Sequence, residues 1–371
     1  MHIHTRSTAV QTRLALTILA AVFFMWGFAT VLNDILVPHL RAVFRLNYAQ
    51  SLSIQFVFYL AYLVMAIPAA ATLERKGYKA CIVIGLSGMA VSALGFVPAA
   101  LLQSYGVFLV ALFLLASSIT LLQVAANPYV TLIGEPTTAS SRLNLVQAFN
   151  SLGTTVAPLF GGLLILSRSA SGTVPDGTVL TAAQRMADVQ AVEIPYLLVA
   201  AALIALAVLV WRTHLPDLGE ESRREVREAR NEYSLWRHRN LVLGVPAICF
   251  YLVAEIGIGS TLVNFIAQAD VGAMSYAKAS TYVSIFWGGA MVGRFMGALA
   301  LRAIGPQQLL ATASSGALVL VLLAITTHGH LAMWCLLAVG LCHSIMFPTI
   351  FTLGIKGLGP LTQEGSGLLI M

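Results

Sequence analysis

The chain has 371 residues, 58% of them hydrophobic and 10% charged, and a formal net charge of +6. A soluble domain carries about a quarter charged residues, so this composition excludes a soluble globular enzyme and indicates a protein whose solvent is largely lipid. The positive charge does not mark a nucleic-acid binder, because no basic stripe is interleaved with exposed aromatics.

The N-terminal stretch MHIHTRSTAVQTR is polar and basic, and an apolar run, 14–37, follows it. A signal-peptide core is about 7–15 residues, so this longer run reads as the first membrane helix. A span needs about 20 apolar residues to cross about 30 Å of hydrocarbon. Ten complete spans are predicted, at 14–37, 51–73, 80–102, 107–133, 143–167, 195–214, 241–267, 277–301, 308–326 and 331–355. An eleventh begins at Gly367, and the sequence stops at Met371 inside it. Backbone ending in hydrocarbon lacks partners, so the expectation is a truncated chain.

Residues 1–214 are expected to form an N-terminal six-helix bundle, 215–240 a cytoplasmic linker, and 241–371 an incomplete C-terminal bundle. The linker holds EESRREVREARNEY, with Glu220–Arg224 and Arg224–Glu228 at i,i+4 spacing, which predicts a short surface helix. Of the 21 Lys and Arg, Arg41, Arg45, Arg168, Arg185 and Lys278 fall on one side of the predicted membrane. The rest, Arg294 among them, fall on the other. That bias puts the N-terminus in the cytoplasm. Cys81, Cys249, Cys335 and Cys342 all lie in apolar stretches, without disulfide or metal-type spacing.

The two halves echo each other. Gln123 lies five residues before Pro128 and Gly134 six after it; His343, Pro348 and Gly354 repeat that spacing in the tenth span. Internal repeats of this kind mark secondary transporters, whose site lies at the repeat interface near mid-membrane. Ionisable groups inside a span are costly and usually face a cavity or a partner. Asp34 in LNDIL and Glu255 in VAEIGIGS are the two that stand out, as cation-coupling candidates. A structural carboxyl bonded to a neighbouring helix is the other reading. Asn33, Gln123, Asn127, Gln147, Asn150 and Asn264 are candidate substrate contacts, because an amide both donates and accepts and a sugar needs many of each. Such amides also join helix to helix. Gln147 and Asn150 share one helix face. Trp26, Phe149, Phe265 and Trp287 could stack on apolar sugar faces or simply pack. His343 is a relay, a substrate contact or a helix–helix bond. Gly153, Ala157, Pro158, Gly161 and Gly162 mark close helix contacts and a bend.

FFMWGFATVLNDILVPHL (23–40), LLQVAANPYVTLIG (121–134), RLNLVQAFNSLGTTVAPLFGG (142–162) and AEIGIGSTLVNF (254–265) resemble the fucose–proton symporter family of the major facilitator superfamily, glucose/galactose transporter branch. That resemblance implies an all-α membrane protein with the major facilitator fold, two pseudo-symmetric helix bundles and twelve helices. It implies import of a hexose with a proton or sodium ion by alternating access across a bacterial-type inner membrane. No resident cofactor is implied beyond the co-transported ion. The partners implied are a small-molecule sugar and the bilayer, for a chain expected to be monomeric. By position, Asp34 matches the family's first-helix aspartate, Gln147 and Asn150 its fifth-helix amides, and Glu255 a seventh-helix glutamate of the glucose/galactose branch. Gln123 stands where fucose permeases carry a glutamate, which implies a sugar other than fucose and coupling through Asp34 and Glu255. The helix-five pattern also resembles drug–proton antiporters. A drug exporter and a non-transporting fragment or sensor are the rival expectations.

Overall fold

The computed structural model describes residues 9–44, 48–161, 182–216 and 234–371. The side chains of 9–10, 33–44, 48–49, 51–52, 161, 182–192 and 276–277 lie outside that description. Among the described residues, every regular element is helical. The helices are α1 (Ala9–Phe44), α2 (Tyr48–Lys76), α3 (Tyr78–Leu101), α4 (Tyr105–Leu132), α5 (Ala139–Gly161) and α6 (Ala182–Arg212). They continue with α7 (Arg239–Ala267), α8 (Tyr276–Ala300), α9 (Pro306–Thr326), α10 (Gly329–His343), α11 (Met346–Ile355) and α12 (Thr362–Ile370). Helices are the solution lipid imposes, because each backbone polar group must then be satisfied within its own segment.

Nine described segments are long and apolar enough to cross a membrane. The α5 helix is not among them. Its sequence ASSRLNLVQAFNSLGTTVAPLFG carries serines, threonines and amides throughout, and most of them face protein rather than lipid: Ser140, Ser141, Asn144, Gln147, Asn150 and Ser151 are buried. The predicted span 143–167 is described as far as Gly161, and the predicted linker helix lies outside the described residues.

The predicted span 331–355 is matched by one segment long and apolar enough to cross a membrane, Gly329–Ile355, with an interruption inside it. Its helix breaks at Ser344 and Ile345, between α10 and α11. Pro348 has no N–H to give to the carbonyl four residues earlier, which is that of Ser344. The freed oxygen accepts a bond from Arg294 Nε at 3.2 Å. The repeat-equivalent Pro128 frees the Val124 carbonyl in the same way, and Ser366 Oγ of α12 donates to it at 2.9 Å. There the helix stays continuous through the proline. The spacing seen in the sequence therefore places two carbonyls that need an outside donor, and each half supplies a different one.

In the first group, α1 packs on α5, α2 on α4, and α3 on both α4 and α6. In the second, α8 and α9 flank α10, and α7 lies against α11 and α8. The groups meet through α5 with α8 and α11, and through α12, which rests on α2 and α4. Three polar contacts of this seam lie together at one end. Ser140 and Thr352 hydroxyls share a 2.7 Å bond, Ser141 Oγ donates to Ala298 O at 2.5 Å, and Asn144 Nδ2 donates to Thr349 Oγ1 at 3.4 Å. Arg75, Lys76, Lys79, Arg142, Arg212, Arg302 and Lys356 lie at that same end, in or beside its turns, and it is called the basic face below. Arg142 ties its helix to the end of α4, donating to the carbonyls of Val130, Thr131 and Glu135. Those oxygens belong to the last turn of α4 and the loop beyond, where no intrahelical partner exists.

Candidate functional site

The polar row of α5 is held in place by its crossing with α1. A Cβ on Gly153 would collide with Phe24 O and stand 2.9 Å from Phe28 N; one on Gly27 would collide with Asn150 O. The two backbones touch because neither glycine has a side chain, the usual device for close helix approach in lipid. Asn150 Nδ2 then donates to Phe23 O at 3.0 Å. Valine at Gly153 meets backbone that cannot swing aside. Overpacking of this kind costs about 1–3 kcal/mol, so Gly153→Val is expected to lower the thermal unfolding midpoint in detergent. An unchanged midpoint would mean that α1 and α5 do not touch there.

This crossing sets the first half of the site. Gln147 Nε2 donates to Asn127 Oδ1 at 3.3 Å, joining α5 to α4. Asn127 is 0% exposed, and its Nδ2 has no hydrogen-bond partner. Gln123, one turn earlier on α4, donates to the Tyr62 hydroxyl at 2.7 Å. Four of the amides singled out in the sequence thus lie buried in the first group, two of them, Asn127 and Gln147, bonded to each other between α4 and α5.

The second half centres on Glu255 of α7, which is 7% exposed. Its Oε1 lies 4.0 Å from Arg294 Nη2 and has no hydrogen-bond partner. Tyr251, one turn earlier, lies within electrostatic reach of both. His343 at the end of α10 packs edge-on to the rings of Tyr251 (5.7 Å) and Phe286 (6.4 Å), and its Nδ1 is unpartnered. Arg294 joins the two halves: besides the Ser344 carbonyl it donates through Nη1 to Ser151 Oγ, one turn along α5 from Gln147. The approach depends on Gly293, where a Cβ would collide with Ser344 Oγ and stand 2.9 Å from Leu341 O.

Arg294 corrects the sequence reading, which counted it among the basic-face charges. Its side chain is 14% exposed and faces Glu255. The signal available was an arginine within a span whose one other charge, Lys278, lies at the opposite end, a placement that usually means a partner. The other predicted residues are placed as follows. Asn264 is exposed and sits nine residues beyond Glu255 on α7, about 13 Å by helical rise, away from the buried amides. Trp26 is buried in the core against Phe23, ring centroids 5.2 Å apart. Phe149 meets Phe295 at 5.8 Å across the seam, Trp287 covers Gly259, and Phe265 is packed against the core. The side chains of Asn33 and Asp34 lie outside the described residues. A cavity of about 530 Å³ opens near the basic face beside Lys76, Lys79, Trp211 and His214, and touches none of the predicted site residues.

Long apolar helices in two groups, with their buried polar residues meeting around one shared helix, define a polytopic membrane protein built like a secondary transporter. The chain belongs to the Major Facilitator Superfamily, whose profile matches residues 15–369. It is 48% identical over 370 residues to a glucose/galactose transporter of Brucella abortus biovar 1 (strain 9-941), spanning 100% of this chain and 87% of that protein. It is 34% identical over 364 residues to the L-fucose-proton symporter of Escherichia coli (strain K12), spanning 95% of this chain and 82% of that one. The crystal structure of the superfamily transporter FucP in the outward conformation matches with a TM-score of 0.84 at 31% identity, covering 97% of this chain and 88% of that chain.

Proposed function

We propose that the chain is a secondary transporter that imports a hexose, glucose or galactose before fucose, together with a proton or a sodium ion. The observation that carries this reading is the meeting of amides and a buried carboxylate around α5. Gln147 and Asn150 belong to the first group, and Ser151 on the same helix accepts from Arg294 of the second, which stands 4.0 Å from Glu255. Hydroxyl ligands suit the amides. Glu255, buried and short of hydrogen bonds, suits a transported cation. Asp34 on α1 is proposed as the second coupling carboxyl.

The basic face is proposed to be cytoplasmic, by the bias of Lys and Arg to that side, with the N-terminus inside a bacterial-type inner membrane. The seam contacts then close the cytoplasmic end, and the state described is outward-facing. The likeness to FucP in the outward conformation supports that assignment. Residues 1–214 and 241–371 are proposed to be the two bodies that rock, joined by 215–240. A cation loads at Glu255, the hexose bonds to the amides, and the neutralised site is carried past the membrane centre without a bare charge.

Expression in a host lacking its own hexose uptake tests the reading. Accumulation of glucose or galactose, collapsed by dissipating the cation gradient, is the expected result. Export of a lipophilic cation with no hexose uptake would replace it with a drug antiporter.

A further inference from the structure

We propose that Arg294 is a positioning residue that ties cation occupancy of Glu255 to closure of the basic face, moving between Ser151 and Glu255 rather than serving as a fixed counter-ion. The inference rests on the reading of Glu255 as the coupling carboxyl. The guanidinium presents its donors in a rigid fork. Here Nε is spent on Ser344 O and Nη1 on Ser151 Oγ, while Nη2 stands 4.0 Å from Glu255 Oε1. A formed guanidinium–carboxylate pair closes to about 2.7–2.9 Å. This pair is therefore parted, and Glu255 Oε1 is left without a hydrogen bond.

The groups facing Glu255 are Tyr251 on its own helix, Arg294 on α8 and, beyond Tyr251, His343 on α10. Neither the Tyr251 hydroxyl nor His343 Nδ1 has a hydrogen-bond partner in the present arrangement. The charged group a cation at Glu255 competes with is therefore Arg294, with the Tyr251 hydroxyl within electrostatic reach of both.

Two of the three Arg294 contacts, Ser344 and Glu255, lie in its own group. Ser151 lies on α5 of the other. Opening the basic face parts α5 from α8 and removes Ser151. The freed Nη1–H then lacks an acceptor in a site where an unsatisfied charged donor is costly. Glu255 is the under-satisfied acceptor beside it. Closing that pair expels the cation toward the opened side. Cation binding and the Ser151 contact both keep Arg294 off Glu255, so each favours the other, and the coupling is reciprocal. A guanidinium that merely caps the carbonyl freed by Pro348 has no such effect on cation affinity.

The test uses the full chain in liposomes with Ser140→Cys as a reporter, since Ser140 bonds Thr352 across the closed seam. The rate at which an impermeant maleimide labels that thiol, above the background of the four native cysteines, is followed as protons or sodium are titrated without sugar. The expected result is cation-dependent protection whose midpoint rises about tenfold with Ser151→Ala and stays within twofold of the parent with Ser151→Thr. Arg294→Lys, a point charge without the fork, is expected to raise it likewise. A midpoint unmoved by both Ser151→Ala and Arg294→Lys overturns the inference, as does protection that ignores both cations. If the parent shows the cation effect but moves no hexose, the hexose reading fails and this one stands; hexose transport with an unmoved midpoint is the reverse.

Discussion

Replacing Glu255 by glutamine is expected to abolish accumulation of hexose against its gradient while leaving exchange of labelled for unlabelled hexose measurable. Glutamine keeps the shape of the side chain but is neutral at every pH, so it resembles the cation-loaded carboxyl and needs no ion before the halves rock. Glu255 is buried on α7 with Arg294 as its charged neighbour, so the substitution removes the titrating group and leaves an oxygen facing Nη2. The magnitude is large. One coupled charge moving down 100 mV is worth about 2.3 kcal/mol, roughly a fortyfold accumulation at 1.4 kcal/mol per tenfold. The variant should fall to equal concentrations inside and out. Accumulation at the parent's level would remove Glu255 from the coupling role.

The second large effect is expected at Gln147. Its amide donates to Asn127 Oδ1 at 3.3 Å, a long bond between two side chains buried in the first group, and Asn127 Nδ2 has no partner. An unmet buried polar group costs about 1–3 kcal/mol, which a sugar hydroxyl recovers on binding. Gln147→Ala removes one side of that arrangement and strips Asn127 of its described partner. The half-saturating hexose concentration should rise about tenfold to a hundredfold. The thermal midpoint without sugar should move less than with Gly153→Val, because the α1–α5 crossing is untouched. An unaltered half-saturation would assign Gln147 to helix packing instead.

Much of this site is legible in the amino-acid order, and the parts that are not have a common cause. Gln123, Asn127, Gln147 and Asn150 announce themselves as amides in apolar surroundings, and all four are buried. The repeat around Pro128 and Pro348 is visible as spacing, and both prolines free a carbonyl that another helix caps. What the spacing does not carry is helix rotation. Asn264 looks like Asn150 on paper, yet it falls on an exposed side of α7, between the buried Leu262 and Ile266. Trp26 offers the same ring as any sugar-stacking tryptophan, but its side of α1 packs into the core. Nor does a run of hydropathy show a break: the tenth span reads as continuous, and the gap at Ser344 appears only once Pro348 is set against the carbonyl it cannot serve. Arg294 is hidden for both reasons. Its position near the end of a span reads as a loop charge, while its role depends on Gly293 admitting Ser344 and on α5 lying alongside.

The account stands on the claim that hexose and cation cross together through the junction of Glu255 with the α5 amides. The direct measurement is cation movement provoked by hexose in weakly buffered liposomes with no imposed gradient, recorded for protons and for sodium in the parent chain and in Glu255→Gln. The account predicts that adding glucose or galactose drives one of the two cations inward with the parent and neither with the variant. Hexose entry with no cation flux in the parent, or equal flux in both, would contradict it.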